Sequence, residues 1–445
     1  MFFASNVDPN LAIIERLRQN KLTIYWVRNA ILSLGLAGIY SIILVLLRTP
    51  QLNNLFSNPT IFRSALVVHV NLSVLIWLLS ITAAIWSNNF KSTLFSTIYL
   101  IVAAIGTILI AISPLCGQHS AIMNNYIPIL ENIIFIFGLS LFSVAILLFA
   151  VNILYEQFLY RKMSLTTLTS VLIFLGVWGC FIYSYYQLQE LTKIVPIDIE
   201  FYYELLFWSG GHLLQFLYTQ ILMVIWILLL EAALDKKPKF QRPYTLLLIL
   251  NFAISLGAIA GHFLYDIVDS EFKDYYTNQM RYGGGIAPVL CLLLIIYEIF
   301  IGRKPIFLVV KTTIICSSSL FLFGGVIGIL ISNMNVTVPA HYHGAIVGIS
   351  VAFMGFVYLV ITTDRQQCSK FCYAIYILTI GQILHITGLL LAGGYDVLRK
   401  APEAKLAHSA KLFMGIMGIG GLAAIAGGLM FVWLCVNASL KNKFK

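Results

Sequence analysis

Charge is what this chain has least of. Only 10% of its 445 residues are Asp, Glu, Lys or Arg, against roughly 25% in an ordinary globular protein. Hydrophobic residues make up 60%, and the mean hydropathy is +0.90. That balance excludes a water-soluble globule. The first stretch of chain is polar with no apolar core, so no cleavable signal peptide is expected. No Walker or dinucleotide glycine fingerprint follows a strand, which removes the common nucleotide-binding folds. The seven cysteines lie mostly in apolar runs. Cys368 and Cys372 stand four apart with no second pair to complete a zinc site. A net charge of +10 would suit nucleic acid, but the basic residues are scattered through short segments between apolar runs. No nucleic-acid partner is expected; the solvent is a lipid bilayer.

Long hydrophobic runs fall at 24–47, 62–87, 92–113, 127–155, 164–187, 204–234, 243–267, 284–302, 306–332, 341–363, 372–395 and 411–437. Each is near the ~20 residues that an α-helix needs to cross a membrane. The expected fold is therefore all-α, a polytopic bundle of twelve transmembrane helices forming a single integral-membrane domain over residues 1–445. An even count puts both termini on one side. Arg16, Arg18, Lys21, Arg28, Lys441, Lys443 and Lys445 share that side with Lys91, Arg161, Lys162, Lys236, Lys237, Lys239, Arg242, Arg303, Lys304, Arg365 and Lys370. These 18 basic residues face nine in the opposite loops, so the positive-inside rule places both termini in the cytoplasm. Outer loops 114–126 and 333–340 contain no Lys or Arg at all. One outer loop breaks the trend with Arg399, Lys400, Lys405 and Lys411. Cations there ask for an anionic partner, such as a propionate near the outer face, or are simply solvated. Asp266, Asp269, Glu271 and Asp274 are expected in another outer loop, either solvated or serving proton exit or donor docking.

Six of the eight histidines lie in spans: His69, His212, His262, His341, His343 and His385. With the orientation fixed, all six fall within roughly 15 Å of the outer boundary at 1.5 Å rise per residue. Five helices threaded in both directions have put imidazoles in one layer. One buried histidine is ordinarily a packing residue, but ionisable groups in this medium are costly and usually functional. His341-Tyr342-His343 is the most telling. Two residues on a helix is a rotation of about 200°, so the imidazoles leave in nearly opposite directions. That suits two flat cofactors, one on either side of the helix, and imidazole is the common protein ligand of haem iron. No Cys-x-x-Cys-His occurs, so covalent haem attachment is not expected. His119 and His408 are read as non-ligands.

These residues, in this order, resemble the catalytic subunit (subunit I) of the haem–copper oxidase superfamily, over nearly the whole chain. The chain is most similar to a divergent bacterial branch, with segments such as "NNYIPIL" and "RYGGGIAPVL". His69 in "VVHVNLSVLIW" matches the first ligand of the low-spin haem. In "AHYHGAIVGISVAFMG", His343 matches its second ligand and His341 the proximal ligand of the high-spin haem. His212 in "WSGGHLLQFLYTQ" matches a copper ligand, and His262 in "GAIAGHFLYD" falls where the family has a His-His pair on the same copper. "GQILHITGLL" and "DVLRKA" resemble the span-eleven segment and the basic pair for haem propionates, so Arg399 and Lys400 inherit that role. The chain departs from the family at three places. Gly261 precedes His262 where a second histidine belongs, and Phe216 stands where most oxidases have a tyrosine linked to the span-six histidine. The acidic residue usual after that histidine is absent. Tyr218 and Tyr265 are nearby hydroxyls at other offsets.

The resemblance implies two haems, low-spin and high-spin, and leaves an incomplete ligand set for copper. It implies a terminal oxidase of the cytochrome c or quinol type in the bacterial inner membrane. Electrons would come from a quinol, a cytochrome or a cupredoxin, with oxygen or another small gas as acceptor and a second oxidase subunit as partner. The alternative is a copper-deficient descendant working in electron transfer, nitric oxide reduction or gas sensing. A twelve-helix transporter fits less well, since no repeat at half length is visible.

Overall fold

The computed structural model describes residues 13–441 apart from 49–58, 90–92, 118–119, 160–163, 235, 303–307, 332–334, 363–367, 396 and 398–407. Among the described residues twelve helices are long and apolar enough to cross a bilayer. In chain order, spans one to six are Lys21–Leu47, Ile61–Trp86, Leu94–Leu115, Ile133–Leu159, Leu165–Thr192 and Ile199–Leu234. Spans seven to twelve are Gln241–Leu264, Ser270–Ile301, Leu308–Leu330, Thr337–Ile361, Cys368–Gly393 and His408–Leu440. Lipid offers backbone groups no hydrogen bonds, so helices that satisfy their own are the natural solution for such runs. A short hairpin pairs Ala121–Ile122 with Ile129–Leu130, in register Ala121 with Leu130.

Three spans form the interior. The apolar windows of spans six, ten and two are 94%, 83% and 72% buried, while no other span exceeds 50%. His69, His212, His341 and His343 all ride on these three. Apolar burial does little to drive helix association in lipid, so close packing at small residues takes over. Spans eleven and twelve meet in this way. A Cβ at Gly388 would lie 2.5 Å from the Met417 nitrogen, and one at Gly420 would lie 2.4 Å from the His385 nitrogen. Spans nine and ten approach as closely where Gly324 faces Gly344. Gly415 and Gly418 of span twelve meet nothing within 4 Å among the described residues.

Two spans are interrupted beside histidines. Span two widens into a π-helical turn over Asn71–Ile76, directly after the helix that ends at Val70. The Ser73 hydroxyl donates to the His69 carbonyl at 2.7 Å, and the Asn71 amide donates to the carbonyls of Val67 and Pro128. π-turns are frequent at functional sites because they re-aim a side chain. Span seven divides at Leu256 into Gln241–Ser255 and Gly257–Leu264. The residues expected as an outer loop are instead a helix, Ser270–Gly283, with Glu271 in its first turn. Tyr275, Tyr276 and Gln279 from that helix donate to the carbonyls of Gly257, Ala258 and Ile254 at 2.7–2.8 Å. Hydrogen bonds that a continuous helix would make internally are supplied from its neighbour.

Candidate functional site

His341 and His343 diverge as their spacing requires. Nδ1–H of His341 donates to the Gly324 carbonyl of span nine at 2.7 Å, and the ring lies over Gly328, where a Cβ would be 2.5 Å from Nδ1. His343 turns toward span eleven. Its ring meets that of His385 edge-on, centroids 4.7 Å apart. The Gln382 amide lies 3.1 Å from its Nδ1 and donates to its carbonyl at 3.3 Å. His385 in turn donates from Nδ1 to the Met417 carbonyl of span twelve at 2.9 Å.

His69 is held from span one. Its Nδ1–H donates to the Ala37 carbonyl at 3.1 Å, with the Ser41 hydroxyl 3.0 Å from the same nitrogen. A carbonyl can only accept, so these contacts put the proton of His69 and His341 on Nδ1 and the lone pair on Nε2. That is the tautomer a metal ligand needs, fixed by its second hydrogen bond. Among the described residues Nε2 of neither ring has a protein partner. Both rings remain only half-buried, although Val67, Val68 and Leu72 around His69 are fully buried.

The span-six and span-seven histidines sit differently. Both are buried, at 5% and 7% exposure, and both are surrounded by aromatic rings. His212 donates from Nδ1 to the Trp208 carbonyl at 2.8 Å, and the Tyr126 hydroxyl lies 2.9 Å from each of its ring nitrogens. His262 has the Ser209 hydroxyl 2.9 Å from Nε2 and the Gln187 amide oxygen 3.3 Å from Nδ1. The ring of Tyr276 stands 5.9 Å from one imidazole and 6.0 Å from the other. Tyr183 and Phe272 close over His262 edge-on.

Tyr126 is the residue that sequence reasoning passed over, and a signal for it was present. The Asn124 side chain accepts from the nitrogens of Tyr126 and Ile127, and the Asn125 nitrogen donates to Glu204 of span six. Asn71 holds the same loop through Pro128. Asn-Asn-Tyr in a charge-free loop is thus a built turn that delivers a phenol. Its landing place is also written in the sequence. A Cβ at Gly211 would lie 2.2 Å from Tyr126 Cγ, and one at Gly210 would lie 2.3 Å from Phe181 Cε1. Tyr218, by contrast, is buried with its hydroxyl unpaired. Tyr265 packs on Tyr275. Neither takes the place of the phenol beside His212.

The structure therefore sorts the six histidines into His343 with His385, His212 with His262, and His69 and His341 each anchored alone. Among the described residues no group of three or more His, Cys, Asp or Glu is gathered to hold a metal ion. Arg399, Lys400 and His119 lie outside the described residues. His408 is exposed at the start of span twelve.

Twelve spans, with imidazoles drawn from the three most enclosed helices, define a polytopic membrane protein. Comparison with known proteins gives the family. Residues 21–423 match the family described as Cytochrome C and Quinol oxidase polypeptide I, and the chain belongs to it. An uncharacterized protein of Rickettsia prowazekii (strain Madrid E) is 46% identical, across 94% of this chain and 95% of its own length. An uncharacterized protein of Aquifex aeolicus (strain VF5) is 27% identical, across 78% of this chain and 86% of its own. A cryo-EM structure of a heme-copper terminal oxidase dimer superposes with a TM-score of 0.72 at 15% identity, covering 95% of this chain and 84% of that one. At that identity it speaks for the fold alone. The protein is a multi-pass membrane member of the subunit I family, and its fold is the oxidase bundle.

Proposed function

We propose that this chain forms one integral-membrane domain of the bacterial inner membrane, with both termini cytoplasmic, and holds two haems as a subunit I-like oxidoreductase. His69 and His343 hold the low-spin haem, and His341 holds the high-spin one. Arg399 and Lys400 meet the propionates. Bound there, the haems supply one-electron transfer from a quinol, cytochrome or cupredoxin donor to oxygen or another small gas. The chain's own contribution is positioning. Ala37 and Gly324 fix the tautomers of His69 and His341, and Gly328 makes room for the His341 ring. Gln382 holds His343 in place, its amide lying beside Nδ1 and donating to the His343 carbonyl. The observation that carries this reading is the divergence of His341 and His343 onto opposite neighbouring helices, with one ring nitrogen of His341 anchored and the other open.

The test is optical. A reduced-minus-oxidised spectrum of the purified protein should show both a low-spin and a high-spin component. His69→Ala should remove the first and spare the second; His341→Ala should do the reverse. Loss of neither component in either variant refutes the assignment. The buried cluster around His212 favours a second reading, in which the protein carries electrons or senses a gas without copper chemistry.

A further inference from the structure

The geometry points to a histidine pair on spans six and seven that binds no copper. His212 and His262 are instead locked in a closed phenol–imidazole–hydroxyl cluster. A metal ion requires lone pairs from several ligands aimed at one vacant point. Here all four ring nitrogens face protein partners: Trp208 and Tyr126 for His212, Gln187 and Ser209 for His262. Ser209 is itself 3.3 Å from the Ser184 hydroxyl, so the polar groups of the pocket are engaged with one another. Its space is filled as well. The Trp208 and Tyr126 rings lie 5.0 Å from the His212 ring, and the Tyr183 and Phe272 rings lie 5.0 and 5.3 Å from that of His262.

Gly261 makes the point independently. The residue before His262 is more than a ligand lost by substitution, because the volume its side chain would take belongs to other residues. A Cβ at Gly261 would stand 2.7 Å from the Tyr276 hydroxyl and 2.8 Å from Tyr275 Cδ1. The Tyr276 hydroxyl is committed to the Ala258 carbonyl, and that of Tyr275 to the Gly257 carbonyl. The helix Ser270–Gly283 has thus closed over the position where a further imidazole would enter. The Asn-Asn-Tyr loop separately covers His212 through Tyr126, seated on Gly211. Two separate elements, each with its own small-residue seat, pack rings against these imidazoles. A site that had merely lost one ligand would show neither.

This inference does not rest on the haem assignment. The full-length protein, purified from membranes of cells grown with added copper, is assayed for copper, iron and porphyrin on one sample. Cu(I) is then titrated into the detergent-solubilised protein. Copper is expected at under about 0.1 per chain, with no tight site appearing on titration. His212→Asn and His262→Asn should leave that content unchanged. Copper near one per chain, lost in either variant, would overturn the inference. If the variants do not accumulate, the wild type alone decides, since a stoichiometric Cu(II) signal with imidazole-nitrogen hyperfine coupling contradicts it. Missing iron and porphyrin would sink the proposed function and leave this inference standing.

Discussion

At the scale of single residues, what separates one buried histidine from another is where its two nitrogens point. His69 and His341 each give Nδ1–H to a backbone carbonyl, which costs them nothing as ligands and fixes the ring. His212 and His262 spend both nitrogens inside the protein. The placing of six histidines in membrane spans is legible in the sequence, but this difference is not, because it depends on carbonyls and hydroxyls from distant segments. Outer contacts of this kind are worth about 10–100-fold in affinity at metal sites. Gln382→Leu, which removes the amide beside His343, should therefore weaken retention of the low-spin haem by roughly tenfold. Titration of the reconstituted protein with haem reads this directly. Unchanged retention and an unchanged midpoint potential would show that Gln382 only packs. Gly328→Val should push the His341 ring off its seat and selectively deplete the high-spin component; an unaltered spectrum would contradict the role given to Gly328.

At the scale of elements, the spans were legible and the interruptions were not. Hydropathy alone places twelve helices, because a run of about 20 apolar residues has few other uses. It does not reveal that span seven divides at Leu256, nor that Ser270–Gly283 is a helix, since that segment is polar enough to pass for a loop. The two facts belong together, because Tyr275, Tyr276 and Gln279 supply hydrogen bonds to the broken helix. Each of these bonds caps a carbonyl close to the break, and leaving a buried partner unmade costs about 1–3 kcal/mol. Tyr275→Phe with Tyr276→Phe should lower the thermal stability of the protein and raise hydrogen exchange across 257–264 before it affects other spans. Uniform exchange along the chain would mean that the two hydroxyls do not support the segment. The widened turn after His69 is a similar case: "HVNLS" reads as ordinary helix, and only Ser73 and Asn71 in place show the turn being held.

At the scale of the whole molecule, the distribution of charge and the distribution of histidines make one statement about the bilayer. From the sequence, 18 basic residues are expected on the side of the termini and the spanning imidazoles toward the other. Reporter fusions should find both termini in the cytoplasm and the 120–131 hairpin outside; the opposite result would reverse the expected membrane orientation. The enclosure of spans two, six and ten explains why the histidines of those helices were the strongest signal in the chain. A residue placed there must be paired, ligated or costly. The most direct measurement is the porphyrin content of the purified full-length protein, taken beside that of His69→Ala and His341→Ala. The account requires about two iron porphyrins per wild-type chain and about one in each variant. A wild-type chain without porphyrin, or variants that keep both, would contradict it.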